Sequence, residues 1–195
     1  MSGFSKGDKT TTVFFEKPRS FDDIRVGDSI AVNGVCLTVE NWTEEMIQFS
    51  LGHETLKVLQ WAPEQWMSKP QNMERSLRLS DRIHGHLVSG HVEGLGMILS
   101  SRSEGDNWMI SVEVPENLLP FVWKKSSMTF HGVSLTVNEI KNQEVHVCLI
   151  PETQKRTNLK NLEEGQFVYL EPDYLAKAFY HFSKQGLVLP HGEKR

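Results

Sequence analysis

The sequence predicts a mostly β protein: two tandem copies of one small barrel or sandwich, followed by a C-terminal helix. Three observations carry this expectation. The phrase GVCLTV (34–39) returns as GVSLTV (132–137), ninety-eight residues later. The surrounding segments are short, β-branched or aromatic, and bounded by Gly, Pro, Asn or Asp. A stretch near the C-terminus instead shows helical spacing of apolar residues.

The repeat extends well past six residues. Aligning GDSIAVNGVCLTV (27–39) with KSSMTFHGVSLTV (125–137) gives six identities in thirteen. At the same offset, GHETLK (52–57) meets IPETQK (150–155); one residue less in offset, TVFFEKP (12–18) meets MISVEVP (109–115) and NME (72–74) meets YLE (169–171). Four matches in one order mark a tandem duplication. The 195 residues suffice for two such modules of about 90 residues each.

Strands are expected over Thr12–Glu16, Ser29–Val32, Val35–Glu40, Ile47–Leu51, Trp108–Val114 and Glu144–Ile150. Asn33-Gly34 and His131-Gly132 supply residues tolerant of positive φ between two strands in each copy. Closure of each module into a barrel would remove exposed edges. Copy two carries HLVSGHVEGLGMILSSRS (86–103) ahead of its hairpin, whereas nearly all of the copy-one counterpart falls before residue 1. The first copy is therefore expected to lack its opening strand unless MSGFSKGD (1–8) supplies one. Helices are expected over Thr55–Met67 and over Asp173–Gln185, with Asp173 as N-cap. In the second, Leu175, Ala178, Phe179 and Phe182 share a face, a packing stripe suited to copies of itself in an oligomer.

Composition narrows the function. Hydrophobic residues make up 38% and charged residues 24%, an ordinary globular balance. The net charge of −4 and pI near 6.1 give no basic stripe for nucleic acid. No apolar run reaches the length of a membrane helix, and no apolar signal core opens the sequence. Cys36 and Cys148 form no close pair, as expected of free thiols in a cytoplasmic protein. No glycine-rich phosphate loop points to a nicotinamide cofactor or ATP.

Cys36 and Ser134 are equivalent, each followed two residues later by a threonine, Thr38 or Thr136. On a strand these pairs share a face, so each copy offers two polar groups side by side. Small strand residues filling a barrel would give the same pattern; its survival in both copies points to two similar pockets for two similar ligands. HGHLVSGH (84–91) holds three histidines. Two on one strand face suit a metal, but no cysteine motif or placed acidic ligand accompanies them; hydrogen-bonded surface histidines, or His91 acting on a proton, are the other readings. Lys125 reads as an edge charge and Asp173 as a helix cap.

Together, GDSIAVNGVCLTV, ERSLRLSDRIHGHLVSGHVEG, HGVSLTV, IPETQKRTNL and EPDYLAKAF resemble the α-type riboflavin synthase family, in order, from about residue 10 to residue 182. The resemblance implies two tandem six-stranded-type Greek-key lumazine-binding barrels, 1–84 and 85–172, and a trimerising helix with its tail, 173–195. It implies a dismutation in which two 6,7-dimethyl-8-ribityllumazine molecules exchange a four-carbon unit. The products are riboflavin and 5-amino-6-ribitylaminopyrimidinedione, and the reaction needs no cofactor and no metal. A relative that binds lumazine or flavin without turnover is the alternative. The resemblance further implies a cytoplasmic homotrimer, with lumazine synthase as a partner and the site shared between the first barrel of one subunit and the second of its neighbour.

Residues carried over by motif are Cys36, Leu37, Thr38, Ser50, Leu51, Gly52, His53, Glu54 and Thr55 in the first barrel. In the second they are Gly90, His91, Val92, Lys125, Ser134, Leu135, Thr136, Cys148, Leu149, Ile150, Pro151, Glu152 and Thr153. Activity in the family is associated with Ser29, Cys36, His91, Lys125, Ser134 and Asp173, with Ser134 and His91 expected to serve proton transfer. The chain departs from the family pattern at its opening residues, in ETLKVLQWAPEQW (54–66), and at His84, His131 and Tyr169.

Overall fold

The computed structural model describes residues 1–7, 10–60, 66–67 and 69–186. Copy one comprises β1 (Gly3–Lys6), β2 (Thr10–Glu16), β3 (Ser29–Val32), β4 (Val35–Thr38), β5 (Asn41–Trp42), β6 (Met46–Gly52), α1 (His53–Val58) and β7 (Met73–Arg75). Copy two comprises β8 (Gly94–Glu104), β9 (Asn107–Glu113), β10 (Ser127–Phe130), β11 (Val133–Lys141), β12 (Glu144–Leu149), α2 (Pro151–Arg156) and β13 (Phe167–Pro172), followed by α3 (Tyr174–Lys184).

Copy two closes into a six-stranded barrel ordered β10-β11-β12-β9-β8-β13. Copy one follows the same path in two pieces, β1-β2-β6-β5 and β4-β3-β7. The pairing registers coincide: Ser5↔Thr12 matches Arg102↔Met109, Ala31↔Cys36 matches Thr129↔Ser134, and Ala31↔Glu74 matches Thr129↔Glu171. The two copies thus share their register at these pairings.

Alternation explains why these strands close. In β2 and β6 every second residue, including Val13, Phe15, Ile47, Phe49 and Leu51, is buried inside the module. Each tight hairpin uses two residues with positive φ, Asn33 (48°) with Gly34 (79°) and His131 (47°) with Gly132 (82°). These two turns meet: a Cβ on Gly34 would stand 2.5 Å from the Gly132 nitrogen, and one on Gly132 would stand 2.8 Å from the Gly34 nitrogen. Only glycine permits that approach.

The expected missing strand is corrected in part. Residues 3–6 do form an opening strand, paired with β2. It matches the half of β8 that pairs with β9, in the same register. Among the described residues, β7 pairs with β3 alone. From copy two, buried Tyr169 and half-buried Val92 and Leu95 join the apolar core of copy one, beside fully buried Trp66. The Trp66 indole donates to the Tyr169 hydroxyl at 2.7 Å.

Two further expectations need adjustment. The helix expected over 55–67 begins two residues earlier and ends at Val58, with Leu59 as its C-cap, while 61–65 lie outside the described residues. The strand expected over 35–40 stops at Thr38, where copy two runs on as one long β11 with a register irregularity at Val137/Glu139. The C-terminal helix forms as expected, and the Asp173 carboxylate accepts from the Leu175 N–H at 2.8 Å. Ala176 is buried, and Phe121 and Tyr180 meet edge to face at 5.2 Å, whereas Leu175, Phe179 and Phe182 are exposed.

Candidate functional site

β4 alternates buried and exposed, so Val35 and Leu37 enter the core while Cys36 and Thr38 face outward. Leu135 is likewise buried and Thr136 exposed on β11, and Ser134 is half-buried. Cross-strand pairing extends each position into a row. In copy one the row reads Glu74–Ala31–Cys36; in copy two it reads Glu171–Thr129–Ser134.

The segment joining the barrels crosses both rows. Its Gly90 carbonyl accepts the Cys36 N–H at 2.8 Å, and a Cβ on Gly90 would lie 2.7 Å from that of Cys36. The Glu171 carboxylate holds this loop by accepting from the Ser89 N–H, the Ser89 hydroxyl and the Gly90 N–H at 2.8, 2.6 and 3.0 Å. Upstream, a Cβ on Gly85 would lie 2.4 Å from the Ser134 Oγ. His86 follows, with its backbone N–H donating to Ser134 Oγ at 3.2 Å, Nδ1 at 2.7 Å from the same oxygen, and Nε2 at 3.0 Å from Thr129 Oγ1.

The geometry therefore pairs Ser134 with His86 rather than with His91, which is exposed beside Gly90. Burial lowers the His86 pKa, against the opposing pull of Asp173 and Glu171, so the ring is neutral at pH 7. A neutral imidazole offers one donor and one acceptor, matching its two hydroxyl neighbours. With the hydrogen on Nε2, facing Thr129, Nδ1 accepts from the Ser134 hydroxyl.

Lys125 holds φ of 73° at the position where copy one has Gly27, φ 94°. Both backbone N–H groups make equivalent bonds, Lys125 to Val137 and Gly27 to Val39, at 2.8 and 2.9 Å. A non-glycine residue in the left-handed region costs on the order of 1 kcal/mol, a strain that persists only where surroundings impose it. Asp173 acts as the α3 cap and also contributes charge at His86.

The remaining expected residues surround the two rows. Ser29 pairs with Thr38, and its carbonyl accepts from the Ser76 hydroxyl. The Ser50 hydroxyl donates to Glu40 at 2.8 Å, while Leu51 is core. Gly52 caps α1, whose first residues are His53, Glu54 and Thr55. Leu149 is core, Cys148 is half-buried, and Ile150 caps α2, which opens with Pro151, Glu152 and Thr153. The structure thus gathers Cys36 with Gly90, and Ser134 with His86 and Thr129. Among the described residues, no three His, Cys, Asp or Glu side chains converge as a metal site requires.

His131 takes over a role that asparagine fills in copy one. The Asn33 side-chain oxygen accepts the Asn72 N–H at 2.9 Å, and His131 Nδ1 accepts the Tyr169 N–H at 3.0 Å. Full burial pushes His131 down to a pKa of about 3, keeping Nδ1 unprotonated and able to accept. Tyr169 is pushed up to about 12 by burial, despite the Trp66 hydrogen bond.

The lumazine binding domain model matches residues 4–75 and again 89–173. The chain belongs to the lumazine-binding domain family. It is 35% identical over 160 residues to a riboflavin synthase of Actinobacillus pleuropneumoniae, covering 82% of this chain and 74% of that protein. It is 36% identical over 162 residues to the riboflavin synthase of Brucella abortus, covering 80% and 79%. A riboflavin synthase-like relationship therefore spans both copies. Among solved structures, LumP complexed with riboflavin superposes with a TM-score of 0.76 at 20% identity, covering 88% of this chain and 92% of that one. LumP complexed with 6,7-dimethyl-8-ribityllumazine gives 0.75 at 19% identity, with the same coverage. At this identity the likeness concerns the fold.

Sequence reasoning missed His86, Thr129 and Glu171 as site residues. Glu171 had a visible signal, because YLE aligns with NME. His86 had only its place in HGH, and Thr129 only its place opposite Ser134 in the hairpin register.

Proposed function

We propose that this chain is a riboflavin synthase, converting two 6,7-dimethyl-8-ribityllumazine molecules into riboflavin and 5-amino-6-ribitylaminopyrimidinedione. The observation that carries the reading is the doubled but unequal site: Cys36 beneath Gly90 in one barrel, and Ser134 beneath His86 in the other. A reaction that consumes two copies of one molecule in different roles needs similar cradles with different side chains.

The lumazine 7-methyl group is acidic because its anion delocalises into the ring, so a neutral His86 acting through Ser134 suits its deprotonation. The exposed Cys36 thiol and Thr38 hydroxyl face the partner molecule, to orient or attack it. The four-carbon unit leaves one lumazine as the pyrimidinedione and completes the third ring of the other. Donor and acceptor are the same compound, so the balance calls for no external oxidant or reductant. Holding two rings antiparallel at reacting distance supplies much of the acceleration.

The reading also takes 1–84, 85–172 and 173–195 as its units, and the exposed Leu175, Phe179 and Phe182 as the contact of a cytoplasmic homotrimer. It leaves room for lumazine synthase as the supplier of substrate. The competing reading is a lumazine or flavin carrier without turnover. Incubation of pure protein with pure dimethylribityllumazine separates the two. Synthase activity gives riboflavin and pyrimidinedione in equal amounts, and Ser134→Ala lowers turnover about a hundredfold or more. A shifted lumazine spectrum with no consumption would establish the carrier.

A further inference from the structure

The outward face of copy one extends beyond Cys36 and Thr38. Register carries it across β3 onto β7, because Cys36 pairs with Ala31 and Ala31 with Glu74, while Thr38 pairs with Ser29. Ser76 completes the second row, its hydroxyl donating to the Ser29 carbonyl at 2.9 Å. Residues paired across strands share a face. Cys36, Thr38, Glu74 and Ser76 are accordingly exposed, whereas Ile30 and Leu37, between the rows, are core. The result is a two-row floor, with a thiol and a hydroxyl at its β4 end and a carboxyl and a hydroxyl at its β7 end. Two strand spacings, about 10 Å, separate the ends. Ala31 keeps the middle of the first row low, where copy two has the larger Thr129.

The β7 end has acceptors to spare. At the equivalent position in copy two, Glu171 accepts two N–H groups and one hydroxyl from Ser89 and Gly90. Glu74 accepts no hydrogen bond and makes no ion pair among the described residues. Its neighbour Arg75 pairs with buried Ile30 on the other side of the sheet, where Asp22 and Asp23 engage it beside the Phe21 ring. Partial burial raises the Glu74 pKa, as expected of a carboxyl that has lost water without gaining donors. The Ser76 proton is committed to Ser29, so its oxygen is left to accept.

We propose that Glu74 and Ser76 bind substrate in the first cradle, receiving the hydroxyls of the ribityl chain. The inference rests on the synthase reading, which sets a lumazine ring against Cys36 and Thr38. A chain laid across Ala31 brings its hydroxyls to the β7 end, where a carboxylate and a serine oxygen accept them. Hydrogen bonds to a charged acceptor are the stronger kind, so Glu74 carries more of the recognition than Ser76. In the second cradle the matching carboxylate is already held by the connector, so the two lumazines are gripped differently.

The test is calorimetric titration of the full chain with dimethylribityllumazine and with the analogue that carries a methyl group in place of the ribityl chain. Glu74→Ala weakens the ribityl compound about tenfold and Ser76→Ala about threefold, and neither changes affinity for the methyl analogue. Both side chains are exposed, and circular dichroism checks that the variants fold. The proposal is overturned if Glu74→Ala binds the ribityl compound as the wild type does, or if it loses both ligands equally, as a structural role would require. Wild-type protein that binds with this discrimination yet forms no riboflavin would refute the synthase reading and leave the inference standing. Riboflavin formation by the wild type, with Glu74→Ala unaltered in binding, would refute the inference alone.

Discussion

The two barrels share a backbone plan and differ in what completes them. Barrel two closes on itself, and its core, from Ile98 to Leu170, is drawn wholly from its own copy. Among the described residues barrel one shows no pairing between β1 and β7, and its core takes in Tyr169, Val92 and Leu95 from copy two. The differences continue at equivalent positions: Gly27 against Lys125, Ala31 against Thr129, Asn33 against His131, Cys36 against Ser134. What duplication preserved is the hairpin geometry and the alternation. What it released is the polar chemistry along one row, where copy two sets the Ser134 and Thr129 hydroxyls against the His86 imidazole and Glu171 against the Ser89–Gly90 loop. One core draws on its twin, and the twin carries the His86 imidazole between two hydroxyls.

The largest test of that comparison concerns acid stability. Native His131 resists protonation down to about pH 3, whereas an unfolded histidine protonates near 6.5. Between those values the unfolded chain binds more protons, so stability present above pH 6.5 is lost as pH falls toward 3. The slope is about 1.4 kcal/mol per pH unit, or about 3 kcal/mol by pH 4.3. His131→Asn imports the copy-one solution, and denaturant melts at pH 7 and 4.5 should show this part of the acid loss removed. An unchanged slope would mean that the two turns are not interchangeable.

A smaller effect separates the two glutamates. Glu171 accepts three hydrogen bonds that hold Gly90 over Cys36, while Glu74, at the equivalent position, accepts none among the described residues and has its pKa raised by burial. Glu171→Gln should cost about 2 kcal/mol in urea unfolding, and Glu74→Gln less than about 0.5. Equal losses would contradict the asymmetry. Smallest is Lys125→Gly, which relieves the left-handed strain and should stabilise by about 1 kcal/mol while lowering lumazine turnover. If it left turnover intact, Lys125 would have no part in the site.

Much of this was legible because a duplicated sequence reports its own registers. The 98-residue offset located both hairpins and the equivalence of Cys36 and Ser134. His86 was not legible as the partner of Ser134, because their approach depends on how a strandless connector folds back over β11. The reach of Tyr169 into the other barrel was equally hidden. Alternation along β13 sets Tyr169 opposite Val168 and Leu170, which fill its own barrel, and cannot say that the neighbouring core would receive it.

The proposed synthase reading requires two unequal cradles, Cys36 in one barrel and Ser134 in the other, to meet across neighbouring chains. Mixing Cys36→Ala with Ser134→Ala protein after mild dissociation tests it most directly, because some neighbours then pair an intact first barrel with an intact second one. Riboflavin formation should return to on the order of a quarter of the wild-type rate, given a heterologous ring of randomly mixed subunits. A mixture no more active than its inactive components, in assemblies shown to have exchanged chains, would contradict the account.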